Sequence, residues 1–277
     1  MKTTKVGTAA LVIGALAVLG GCSDSATGPG GGGGQVSLSL AAPAGTGSGG
    51  SASRTGPRAS FSVTRTDGEG NELVLDSLQL VLREVELERA GEDDCPDDST
   101  SGTDDDACEE FETDIRLFRV PLDGSVERTV TVSAEPDSYD ELEFDIHKPD
   151  DQEPDDQQFI DDNPTFADIS IRAKGEFTPS GGQATDFVFT QDLNVEQEIP
   201  LSPALVVEDG ASVNLTLRVD WRSWFTSDGS VDGVLLDPAT ANDGGANEGV
   251  VEENIKNSFE AFEDEDGDGE DDGGDTG

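Results

Sequence analysis

The chain has 277 residues, 61 of them acidic and 16 basic, for a formal net charge of -45. A surface this negative excludes nucleic acid and anionic lipid headgroups as partners, because phosphate binding needs positive charge. Divalent cations and basic partners remain, and an acidic surface also keeps a protein hydrated at high salt, so cation binding and salt adaptation both account for the excess.

Residues 1–21 carry Lys2 and Lys5, an apolar run from Val6 to Leu19, and then Gly20 and Gly21 before Cys22. The run is shorter than the roughly 20 residues a helix needs to cross a bilayer, and small residues precede a cysteine at its end. This is the pattern of a lipoprotein signal peptide, with cleavage before Cys22 and lipidation of its thiol. The plainer reading is an ordinary secretory signal followed by a free cysteine. Several acyl chains on one residue anchor stably where a single chain binds marginally, so the membrane is the expected partner at Cys22. Ser23 stands where an aspartate would favour inner-membrane retention, which points to the cell envelope at the outer membrane, on its periplasmic or surface-exposed face.

Residues 22–57 are rich in Gly, Ser, Ala and Pro, a composition that buries too little apolar surface to fold, and are predicted as a disordered tether. Gln35 to Leu40 alternates well enough to interrupt it with a first strand. Residues 58–246 are expected to form one β domain. In "SLQLVLREVELER", Leu78, Leu80 and Leu82 share a face, and a bulge near Arg83 and Glu84 returns Val85 and Leu87 to it.

Cys95 and Cys108 then bracket "PDDSTSGTDDDA". With Cys22 assigned to lipid they form an even pair in an exported chain, read as a disulfide that staples a hairpin loop at about 3 kcal/mol in the chain-entropy model. A redox or metal role is the alternative.

Further on, "YDELEFDIHK" alternates Leu142, Phe144 and Ile146 with Glu141, Glu143, Asp145 and His147. Similar alternation runs through "ADISIRAKGEF", "TDFVFTQDL" and "SVNLTLRVDW", with turn clusters between. Period-two patterning with one polar face is what antiparallel strands require, and many such strands without helical repeats predict an antiparallel β-sandwich, transthyretin-like or immunoglobulin-like. "WRSWF", Trp221 to Phe225, fills the core or offers aromatic faces to a sugar. His147 is the one histidine, so any histidine-dependent triad or metal site passes through it, and Glu143 and Asp145 share its side of the strand.

One short C-terminal helix is predicted over residues 247–263, since Val251, Ile255, Phe259 and Phe262 recur at four, four and three. It leads into an acidic tail, residues 264–277. Counted from Asp264, carboxylates fall at positions one (Asp264), three (Asp266), five (Asp268), nine (Asp272) and twelve (Asp275), with Gly269 at six and the Glu270 carbonyl available at seven. That is the pattern of a calcium loop, in which a hard cation takes several oxygens and glycine permits the sharp turn. Asp at position twelve, Gly273 and Gly274, and the short run to Gly277 depart from helix-loop-helix calcium proteins.

The segments "LVLREVELERA", "CEEFE", "YDELEFDIHKP", "SIRAKGEF", "FTQDLNVEQEI", "LTLRVDWRSWF", "DPATAN" and "NIKNSFEAFEDEDGDG", with the cysteine-bracketed acidic loop, together resemble a group of uncharacterised bacterial lipoproteins with a domain of unknown function. The resemblance covers nearly all of the chain after the tether. It implies a secreted, lipid-anchored β domain and brings no catalytic residues with it.

The sequence thus predicts a non-enzymatic cell-envelope lipoprotein, a surface binding or scaffold module with calcium as its expected cofactor. The protein or glycan ligand is unspecified. The alternative is a hydrolase acting on extracellular or cell-surface glycans through a carboxylate pair, which calls for a cleft holding Trp224 between two converging carboxylates, one of raised pKa.

Overall fold

The computed structural model describes residues 33–44, 62–91 and 113–272. Eleven strands and two helices follow one another there: β1 (Gly34–Ala41), β2 (Val63–Thr66), β3 (Glu72–Arg89), β4 (Arg116–Arg119), β5 (Glu127–Ala134), β6 (Ser138–Ile146), α1 (Pro154–Asp162), β7 (Ile171–Thr178), β8 (Thr185–Gln191), β9 (Val195–Val206), β10 (Ser212–Val219), α2 (Glu248–Lys256) and β11 (Phe259–Glu263). The smaller sheet has the order β11-β10-β1-β5 and the larger β8-β7-β3-β6-β9, with β2 and β4 each paired to part of β3. Neighbours are antiparallel except β1 and β10. The predicted mainly β, antiparallel sandwich is therefore the observed architecture.

Alternation builds the core. Leu38 and Leu40 of β1 and Leu215 and Leu217 of β10 face Leu78, Leu80, Leu142 and Phe144 of the larger sheet in one continuous buried cluster. The Phe144 and Phe259 rings meet edge-on at 5.3 Å and join the two sheets. In β3 the buried set runs Leu73, Leu75, then Leu78, Leu80, Leu82, then Val85, Leu87, so the inward parity flips twice. The pairing register slips at both flips, between Leu75 and Ser77 and between Arg83 and Glu86, and Glu84 takes a positive φ of 51°. The second slip is the bulge expected from sequence.

Three local expectations change. The strand inside the predicted tether is central, because β1 supplies both partners of its ladder to β10 and β5. A domain starting at residue 58 would lack it. The C-terminal helix ends at Lys256, and Phe259 and Phe262 lie on β11 instead of a continued helical stripe. The Ser258 N–H bonds back to the Ile255 carbonyl, the chain turns, and β11 then satisfies the edge of β10. Phe259 faces the core while Phe262, three residues on, lies under the Arg218 guanidinium at 5.2 Å.

The sequence also carries a second helix that was not expected. α1 opens with Pro154 and has Asp155 and Asp156 in its first turn, both favourable at a helix start. Phe159 packs with Phe166 and Val81 on the outer face of the larger sheet, a small cluster separate from the main core. No helix among the described residues is long and apolar enough to cross a membrane.

Candidate functional site

The acidic C-terminal segment is docked. Asp264, directly after β11, is fully buried, and its N–H bonds to the Asn214 carbonyl of β10. Its Oδ1 accepts the N–H groups of Gly267 and Asp268, and Oδ2 accepts the Gly269 N–H and the Thr216 hydroxyl. The backbone thus wraps around the first carboxylate of the loop, with Gly267 and Gly269 at φ of 74° and 83° to permit the turn. A Cβ on Gly269 would come within 2.9 Å of Val126 Cγ2, so the loop packs against the sandwich.

Oxygens of Asp264, Asp266 and Asp268 lie within 4.8 Å of one another. Asp272 closes the loop from the far side, where its Oδ2 accepts the Glu265 N–H at 2.7 Å. Asp268 Oδ1 accepts the Glu270 N–H, which fixes the backbone at the seventh position. Burial, with Glu265 and Asp272 pressing negative charge on it, pushes the Glu263 carboxyl above its ordinary range. Asp264, Asp266 and Asp268 are therefore brought together, with Glu270 and Asp272 on the same loop. Asp275, Cys22, Cys95 and Cys108 lie outside the described residues.

The other predicted polar trio is split. His147 is buried, and its Nε2 lies 3.0 and 2.9 Å from the two oxygens of Asp156 on α1. Glu143 instead groups with Glu88 and Glu141 across β3 and β6. Burial first, then the charge and hydrogen bond of Glu88 and the charges of Glu198 and Asp140, raise the Glu141 carboxyl to about 7. Alternation put His147 on the solvent side of β6, but the strand ends at Ile146 and α1 closes over the histidine. Pro154 and the two aspartates after it were the signal for that cover.

A cleft of about 890 Å³ lies between β4, α1 and the start of β5, and Arg83, Arg116, Arg119 and Arg128 line it together with Asp156 and Phe159. Arg83 is engaged by Glu84 at 2.8 Å, Asp145 at 3.2 Å and Glu153 at 3.5 Å. Trp224 is elsewhere: it is fully buried, and its indole N–H donates to the Ser258 hydroxyl at 2.7 Å. Trp221 is also buried, with its N–H on the Pro43 carbonyl, so both tryptophans of "WRSWF" are core and neither offers a face to a sugar.

No family model matches the chain, and no curated protein matches it. Among solved structures it is similar to MbnP from Methylosinus trichosporium, at 11% identity and a TM-score of 0.35, over 69% of this chain and 77% of that one. A likeness at that level carries no argument about function.

Proposed function

We propose that this chain is a lipid-anchored, non-enzymatic module of the cell envelope, held to the outer membrane through Cys22, which presents its β-sandwich for binding and takes calcium in its C-terminal loop. The observation that carries the calcium reading is the set of Asp264, Asp266 and Asp268 oxygens within 4.8 Å of one another, on a loop whose first carboxylate is built into the sandwich. Calcium prefers several oxygen ligands, and the spacing of this loop supplies them at alternate residues with glycine at the sixth. The signal-like segment before Cys22 supports the anchor, and the buried state of both tryptophans speaks against the glycan-hydrolase alternative.

The test is calorimetric titration of calcium into the full chain, beside an Asp266→Ala/Asp268→Ala variant, with magnesium and high sodium chloride as controls. Saturable, calcium-selective binding in the affinity range of extracellular modules, about 10⁻⁴ to 10⁻³ M, that the double variant loses is the expected result. A weak response shared with magnesium and erased by salt would reduce the loop to a solvated acidic segment. Mass spectrometry of the mature N-terminus tests the anchor independently: diacylglyceryl and acyl additions on Cys22 are expected.

A further inference from the structure

The geometry points to a second metal site, chemically distinct from the calcium loop, at His147, Glu153 and Asp156: one imidazole nitrogen and two carboxylates that hold a first-row divalent ion such as Zn²⁺. All three come from one short stretch. His147 follows β6 directly, and its N–H is fixed on the Val81 carbonyl at 3.0 Å. Glu153 is the N-cap of α1 and Asp156 lies three residues on, a spacing that puts both on one side of the first turn.

The distances suit such an ion. Bonds of about 2.0–2.2 Å to imidazole nitrogen and carboxylate oxygen place two ligand atoms about 3.4 Å apart at the tetrahedral angle that zinc adopts, a few tenths of an ångström beyond a hydrogen-bond distance. His147 Nε2 stands 3.0 and 2.9 Å from the Asp156 oxygens, and one donor atom from each of the three residues falls within 4.8 Å of the others. Glu153, whose side chain is 53% exposed and paired with Arg83 at 3.5 Å, exchanges that partner for the ion, while His147 and Asp156 spread slightly to admit it. That exposed side is also where water completes the coordination.

Burial and charge point the same way. Asp156 is fully buried and oriented by the Asp150 N–H on its Oδ2 at 2.8 Å, the kind of supporting contact that fixes a ligand. His147 is 2% exposed and its Nδ1 is buried without a hydrogen-bond partner, so Nε2 is the ring nitrogen presented to Asp156 and to the ion. Arg83 is the positive charge beside Glu153, and it is shared with Glu84 and Asp145. A nitrogen donor selects against calcium and magnesium, which favour oxygen alone, so the two sites of the molecule take different ions.

Because the chain has a single histidine, its ring reports the site without interference. The experiment is a long-range ¹H–¹⁵N spectrum of the imidazole in the full chain, in mild detergent, titrated with zinc in the presence of excess calcium and magnesium that occupy the other carboxylates. One equivalent of zinc is expected to replace the free ring signals by a metal-bound set with Nε2 as the shifted nitrogen. Glu153→Gln, an exposed substitution that leaves the fold intact, is expected to weaken zinc at least tenfold, and Asp156→Asn further. Ring signals that stay unmoved through several equivalents of zinc, or a Glu153→Gln variant that binds as the parent does, would overturn the site and leave His147 and Asp156 as a hydrogen-bonded pair that pins α1.

Discussion

Thr216, on an interior strand of the smaller sheet, donates its hydroxyl to Asp264 at 2.9 Å, and both groups are fully buried. The first residue of the acidic loop is therefore a structural member of the sandwich, while Asp266 and Asp268 are exposed. The two kinds of carboxylate should separate experimentally. Asp264→Ala leaves Thr216 and three N–H groups without their acceptor and is expected to cost about 3 kcal/mol with calcium absent. Asp266→Ala/Asp268→Ala should change that stability by less than about 0.5 kcal/mol and remove the increment that calcium adds. Urea melts with chelator and with calcium, run on both variants, read the difference directly. An equal loss of stability in both variants with chelator would contradict it.

Glu141 gives the molecule a pH dependence near neutrality. Its carboxyl is raised from the ordinary 4.5 to about 7 by burial and by Glu88, so the folded state holds a proton that the unfolded state has released. Stability should then fall as pH rises from about 4.5 through about 7, the interval over which only the unfolded chain is fully ionised. Glu141→Gln should flatten this part of the profile and raise the melting temperature most at the alkaline end. Thermal melts of both proteins across that interval provide the check, and a parallel decline in the two would remove Glu141 as its source.

Asp67 has the opposite sign. Desolvation pushes its carboxyl up, but hydrogen bonds from the Asn71 amide and the N–H groups of Leu235, Asn71 and Glu69 outweigh that and hold it down to about 2. Its contribution is present above the ordinary value of 3.8 and lost as pH falls through about 2. It closes the β2–β3 turn and, through the Leu235 N–H at 2.8 Å, ties that turn to the far end of the chain. Asp67→Ala is expected to destabilise by about 1–3 kcal/mol at neutral pH. Amide exchange should show the Leu235 N–H among the groups most deprotected.

Among the described glycines, Gly175 has the least room for a side chain. A Cβ there would sit 1.8 Å from the Val74 carbonyl oxygen, opposite the slip that lets Leu75 and Leu78 both point inward. The obstacle is backbone, which cannot rotate away. Gly175→Ala should therefore cost at least about 2–3 kcal/mol, at the upper end for overpacking, with the loss of protection centred on the β3–β7 pair. A melt matching the parent would show that the strands separate there without penalty.

Much of the sandwich was written locally. The runs Leu142-Phe144-Ile146 and Leu215-Leu217-Val219 carry their inward faces in plain alternation, and the shift from Leu82 to Val85 marked a real bulge. What the local pattern misassigned were places where a distant segment decides. Phe259 and Phe262 continue the spacing of a helix, yet the open edge of β10 turns them into a strand. His147 reads as an outward residue until α1, a nine-residue helix with only Phe159 and Ile160 as large apolar groups, closes over it. The spacing of Asp264, Asp266 and Asp268 was visible at once, but the burial of the first depends on Thr216, 48 residues earlier.

The position of β1 has a mechanical consequence. It is the first described strand, and it is bonded on both sides, parallel to β10 and antiparallel to β5, over almost its whole length. A pull on the chain ahead of Gly34 meets two ladders together, not a free edge that peels one bond at a time. Force entering from the N-terminal side is thus carried into the middle of the smaller sheet, and extraction of β1 requires both neighbours to let go before the remaining strands are disturbed.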